Sequence, residues 1–183
     1  PTLSSWEKLN STFKDSFQIK IAPGNHDVEF GENPLRNTFL KSSFGKKDFP
    51  YTLNRSGFKL IIDDSTLNNW QLSQKTIDLG NSSINGETII LRHHIPVSEF
   101  LLLANSQSGL KRDLPSIREL ADRFSREIIL ISGDSSAFPH LPRIECREFK
   151  NIKLISNGIG DHRNDQIIIL SKKELYRYRI NQK

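Results

Sequence analysis

The chain has 183 residues, of which one is cysteine and none is methionine. The lone Cys146 excludes an internal disulfide and a zinc cage built from thiolates. No apolar run approaches the roughly 18 residues of a membrane-spanning helix. The longest, Phe100 to Ala104, has the length of a core segment. Repeats and low-complexity tracts are lacking as well. A large excess of one charge is also missing, since 26 Lys and Arg against 21 Asp and Glu leave a net charge of +5. The basic residues are spread along the chain. Their densest group, Lys172 to Arg179, alternates with Leu175, Tyr176 and Tyr178 as a half-exposed strand would. That is not a stripe that tracks phosphates, so nucleic acid is not the expected partner. What remains is a polar globular composition, 36% hydrophobic and 26% charged, in a chain of single-domain length. A chain this long buries roughly 70% of its unfolded surface and folds without staples.

Hydrophobic spacing divides the chain into alternating elements. Ser4 and Glu7 have the spacing of a capping box, and Trp6, Leu9, Phe13 and Phe17 recur at helical intervals, which predicts a helix near residues 5–16. Gln18 to Ala22 reads as a short strand stopped by Pro23-Gly24. Asn33-Pro34 opens a second helix, with Asn as cap and Pro in the first turn. Tyr51–Asn54 and Phe58–Asp63 flank Ser56-Gly57 as a hairpin. Glu87–Arg92 and Glu127–Ser132 read as buried strands. Val97–Ala104 and Pro115–Phe124 read as helices. Arg143–Phe149, Ile152–Ser156, Gln166–Leu170 and Glu174–Ile180 form a closing run of strands. The expected fold is α/β: a mixed sheet, or two sheets packed as a sandwich, flanked by helices and ending in a β meander. Trp6 and Trp70 are expected in the core.

Three polar clusters each follow directly on a predicted strand. They are Asn25-His26-Asp27, Arg92-His93-His94 with Pro96, and Gly133-Asp134-Ser135-Ser136. In α/β sheets ligands bind beyond the carboxyl ends of the strands, so these clusters converge at one edge. Asn, His and Asp together suit a divalent metal such as manganese, iron or zinc. His93 is expected to point away from His94, or to make a supporting contact. Asp134 reads equally as a ligand or as a turn residue. Arg92 and Arg163 read as surface arginines, with a grip on phosphate as the alternative. Asn157 to His162 reads as a tight turn, with a loop lining the same site as the alternative because it follows Ile152–Ser156; its two glycines are not followed by the helix of a dinucleotide site.

Gly24-Asn25-His26-Asp27 resembles the Gly-Asn-His-Asp signature of the calcineurin-like metallophosphoesterases. His94-Ile95-Pro96 resembles the family's metal-binding His before a Pro, and Phe58–Asp63 resembles its strand ending in Ile-Asp. The resemblance runs from about Gln18 to Gly133. It implies that Asn25 and His94 ligate one of two metal ions. It places His26 near the leaving oxygen as a general acid, with Asp27 orienting its imidazole. It implies hydrolysis of a small phosphorylated substrate by metal-activated water. The family's opening motifs, Asp-x-His and Gly-Asp-x-x-Asp, do not occur before Gly24. Together with Pro1 as the first residue, this leads to the expectation that residues 1–183 are one domain lacking its first strands. In the family's closing Gly-His-x-His motif, Asp134 stands at the first histidine and Ser136 at the second, with His140 as a nearby substitute. That departure raises the alternative of a catalytically degenerate member serving as a binding or scaffold module.

Overall fold

The computed structural model describes residues 1–29, 33–46, 48–55, 57–82, 86–99, 113–135, 144–158, 166–170 and 175–179. The first helix, α1 (Leu3–Phe13), starts earlier than expected because Thr2, not Ser4, is its cap; the Thr2 hydroxyl accepts the Ser5 N–H at 3.2 Å. Trp6 is its buried anchor and meets Phe39 and Phe44 edge-on, with ring centroids 5.4 and 6.0 Å away. The helix stops at Phe13, so Phe17 leaves the helical register and is 65% exposed.

The strand expected at Gln18–Ala22 does not form. Among the described residues no ladder pairs it with a neighbour, and Ile19 and Ile21 pack instead against the Trp6–Phe39 cluster. A short apolar run states that it is buried, not what its backbone pairs with. After it comes α2 (Asn25–Val28), a single turn closed by the Asp27 carboxylate, which accepts the Gly24 N–H at 3.0 Å. Helix α3 (Pro34–Lys41) has the cap the sequence predicts: Asn33 Oδ1 accepts the Arg36 N–H, and Pro34 occupies the first turn.

The rest is built on a six-stranded sheet. Its strands are β1 (Tyr51–Arg55), β2 (Phe58–Ile62), β3 (Glu87–Arg92), β4 (Ile128–Ser132), β5 (Ile144–Phe149) and β6 (Ile152–Asn157), in the order β1-β2-β3-β4-β6-β5. The four central strands are parallel, and β1 and β5 run antiparallel at the edges. Among the described residues two helices lie between the parallel strands: α4 (Gln74–Asn81), capped by Ser73, and α5 (Ile117–Asp122), held by a Ser116–Glu119 capping box. Hydrophobic spacing does not single out α4, which has only Ile77 and Leu79 as large apolar residues. The expected helix at Val97–Ala104 lies mostly outside the described residues. The last strands, β7 (Gln166–Leu170) and β8 (Leu175–Arg179), form an antiparallel sheet of their own. No helix among the described residues is long and apolar enough to cross a membrane.

Register explains both the core and the edge that carries the chemistry. Ile61, Ile90, Leu130 and Leu154 lie side by side across β2, β3, β4 and β6, and none is exposed. Ile77 of α4, Leu120 of α5 and Phe124 cover them. Burying such a side chain contributes roughly 1.5–3 kcal/mol. Two residues further along, Arg92, Ser132 and Ser156 form the next row, at the carboxyl ends of the strands.

Helix α4 packs so closely that a Cβ on Gly80 would lie 2.5 Å from the Phe124 ring. Gly80→Ala therefore reverses the usual benefit of alanine in a helix and lowers stability by about 1–2 kcal/mol. Urea denaturation checks this; an unchanged or raised midpoint would show that Phe124 gives way freely.

Candidate metal centre

Four segments meet at the carboxyl edge of the parallel strands. After β2 comes Asp63-Asp64-Ser65, after β3 His93-His94, after β4 Gly133-Asp134, and α2 brings Asn25. Two backbone bonds extend the register past the strand ends: Asp63 N–H to Leu91 O at 3.0 Å and Gly133 N–H to Arg92 O at 3.2 Å.

His93 is the hub. Its Nε2 lies 3.2 Å from Asn25 Oδ1 and 3.5 Å from Asp134 Oδ1. His94 is wholly buried. Its Nδ1 lies 2.8 Å from Ser65 Oγ, which also accepts the His94 backbone N–H at 3.1 Å. The Trp70 ring stacks on the His94 imidazole, 4.2 Å between centroids and 16° from parallel. The two imidazoles meet edge-on at 4.6 Å. One ligand atom from each of His93, His94 and Asp134 lies within 4.8 Å of the others, so this group could hold a metal ion.

The expected ligands Asn25, His94 and Asp134 thus come together. His26 and Asp27 sit beside them on α2, but among the described residues no hydrogen bond joins the two. His26 is exposed, and the Asp27 carboxylate is engaged with Gly24 N–H. His93 makes the supporting contact that the sequence offers as the alternative to pointing away, and it also joins the candidate ligands. Strand alternation sends neighbours to opposite faces, but β3 ends at Arg92 and residues 93–94 form a bend, so both imidazoles serve one site. The sequence held one signal for this, a glycine before each of Asn25 and Asp134. A Cβ on Gly24 would lie 2.6 Å from the His93 ring, and one on Gly133 would lie 3.4 Å from its Nδ1. Ser136, His140 and Asp161 to Arg163 lie outside the described residues.

Arg92 is neither a surface residue nor placed to grip a phosphate. It is 1% exposed. Its Nη2 donates to Trp70 O at 2.5 Å, and its Nη1 lies 3.4 Å from Asp63 Oδ2. Thr76 donates to the other oxygen of Asp63 at 2.9 Å. The next carboxylate, Asp64, is paired with buried Arg36 at 2.7 Å and accepts the Thr66 hydroxyl at 2.6 Å.

Burial sets the electrostatics of the hub. It pushes the Asp134 carboxyl up to about 7 and the His93 imidazole down, the latter opposed by the nearby charge of Asp27. Asp134 is also held at φ 55°, with the Ser135 N–H bonded back to Gly133 O at 2.7 Å. A γ-turn of this hand is rare and strained. Such strain persists where surrounding structure imposes it, as at ligand clamps. The donor set fits a divalent ion: two imidazoles and a carboxylate, with an amide oxygen beside them, are ligands of borderline metals. A buried carboxyl that resists ionisation alone gains most from a cation beside it.

Two consequences follow from Asp134. Its folded pKa lies above the unfolded value, so it binds a proton in the fold that the unfolded chain has released. The stability of the metal-free protein therefore falls as pH rises from about 4 to about 7 and levels off above. Asp134→Asn, which tolerates the left-handed backbone, removes that slope and raises metal-free stability by on the order of 2 kcal/mol at about pH 8. An ion held by Asp134 would have to displace the same proton, so affinity for a divalent metal ion would climb about tenfold per pH unit below about 7 and then flatten. Denaturation and calorimetric titration across this range check both; a flat affinity profile would remove Asp134 from the ligand set. In comparisons with known proteins, the sequence matches no family model and no curated protein.

Proposed function

We propose that the protein is a metal-dependent phosphoester hydrolase acting on a small phosphorylated substrate. The observation that carries this is the meeting of Asn25, His93, His94 and Asp134 at the carboxyl edge of the parallel sheet. The likeness of Gly24–Asp27 and His94–Pro96 to metallophosphoesterase motifs supports it. In this reading His93, His94 and Asp134 hold the ion, and Asn25 adds an amide oxygen that faces the same His93 Nε2 as Asp134. A divalent ion bound there, manganese, iron or zinc, would supply positive charge to the phosphoryl oxygens and lower the pKa of the attacking water. The family likeness pairs two ions, and the gathered residues account for one.

His26, exposed on the same turn as Asn25, donates a proton to the leaving oxygen. Asp27 acts at one remove. By accepting the Gly24 N–H it fixes the turn that carries both Asn25 and His26. Gly24 itself has no side chain, which lets that turn lie against the His93 ring. The buried pairs Arg92–Asp63 and Arg36–Asp64 keep the loop after β2 in place and leave their charges spent on each other.

A second reading is a metal-binding module without turnover. Asp134 where the family has a histidine, and the lack of a bond between His26 and Asp27, favour it. Uptake of Mn²⁺ and hydrolysis of an aryl phosphate separate the two. Under the first reading, His93→Ala loses both metal and activity. His26→Ala keeps the metal and loses about 10²–10⁴-fold in kcat. Metal uptake with no turnover on phosphomonoesters and phosphodiesters would establish the second reading. A wild-type protein that takes up no divalent ion would overturn both.

A further inference from the structure

Ser65 lies on the loop after β2, in a stretch with no resemblance to a ligand motif, yet it contacts the candidate centre twice. Its Oγ accepts the His94 backbone N–H at 3.1 Å and stands 2.8 Å from His94 Nδ1. Ser65 is wholly buried, as is His94, so neither contact is exchanged for bulk water. An imidazole coordinates a metal through one nitrogen and keeps its proton on the other. The partner of that second nitrogen fixes which tautomer is present. A hydroxyl oxygen has two lone pairs, enough to accept both the backbone N–H and a ring N–H.

We propose that Ser65 is a positioning residue of the metal centre: its hydroxyl oxygen holds the His94 proton on Nδ1 and so presents Nε2 to the ion. This deepens the metal-centre reading and rests on it. The loop is built to keep that oxygen still. Asp64, the preceding residue, is locked between Arg36 and Thr66. The Ser65 carbonyl accepts the Trp70 N–H at 3.1 Å, closing the loop into a compact turn. Trp70 then lies flat on the His94 ring, so the imidazole is gripped at one edge and against one face.

Trp70 holds this place at a cost. Its φ is 71° and that of Asn69 is 47°. Two successive left-handed residues, one of them a bulky aromatic, form an uncommon backbone. Arg92 imposes it by donating to the Trp70 carbonyl at 2.5 Å. Residues held in sparsely populated backbone regions persist where the surroundings over-determine them, and they cluster at ligand clamps. The strain at Trp70 and the double contact of Ser65 are separate observations that act on the same ring.

The test uses zinc, which is diamagnetic and binds imidazole well. In the ¹⁵N-labelled, zinc-loaded protein, long-range proton–nitrogen correlation should show His94 protonated at Nδ1 and coordinated at Nε2. Coordination at Nδ1, or a His94 spectrum unmoved by zinc, would overturn the proposal. This measurement needs no variant and stands whether or not a substituted protein folds. Ser65→Ala should bind Zn²⁺ about 10–100-fold more weakly, the usual cost of removing a partner of a metal-bound histidine. Ser65→Thr, which restores the hydroxyl, should recover most of that loss. Equal zinc affinity in Ser65→Ala and wild type would overturn the proposal and leave the metal centre intact. No zinc binding by the wild type would overturn the metal centre and the proposal with it.

Discussion

A guanidinium sealed at the end of β3 holds the functional edge together. Arg92 is buried among the apolar residues that α4 and α5 cover, where an isolated charge would cost several kcal/mol. Burial lowers its pKa and raises that of Asp63, and each charge opposes the shift of the other. The pair persists because its polar atoms have further tasks. Asp63 accepts the Thr76 hydroxyl, tying the loop to α4, and Arg92 donates to Trp70 O, tying it to the face of His94. The two residues that follow Arg92 are His93 and His94. The ligands and the clamp that shapes their surroundings thus grow from one point of the backbone.

The site above it has a different electrostatic character. Burial pushes its acid and its base toward their neutral forms, which leaves a polar cluster of low charge in Asn25, His93 and Asp134. Directly below, Asp63 and Arg92 neutralise each other, and Asp64 and Arg36 do the same one residue along. The charges that support the loop are therefore paired internally and do not compete with that cluster for a ligand.

The parallel strands were legible in the sequence because their apolar runs are short and bounded, and because polar clusters follow them directly. Asn33 and Pro34 marked α3 for an equally local reason. Less could be read where tertiary contacts decide. Gln18–Ala22 carries a strand pattern, but its isoleucines are satisfied by Trp6 and Phe39 without a ladder. Helix α4 is set by the Ser73 cap and by the contact of Gly80 with Phe124, neither of which leaves a hydrophobic period. Among site residues, Asn25, His94 and Asp134 stand out as ligand types after predicted strands, though the one before Asn25 does not form. For His93 strand alternation favours the opposite face, and the bend past the last paired residue turns its imidazole into the site instead. Arg92 was read as a surface cation because nothing local announces that Asp63 and the Trp70 carbonyl await it in the core.

The glycine beneath His93 has a consequence for how the molecule is assembled. Gly24 and the His93 imidazole touch where another residue would have its own side chain, so the turn at residue 24 and the end of β3 meet only when both are in place. The candidate ligand atoms come from residues 25, 93–94 and 134, far apart along the chain. An ion held among them is a cross-link that the unfolded chain cannot make. By mass action it stabilises only the folded form, more so as its concentration exceeds the dissociation constant. The centre would then serve as a staple across the three chain segments, among 183 residues whose single thiol excludes an internal disulfide.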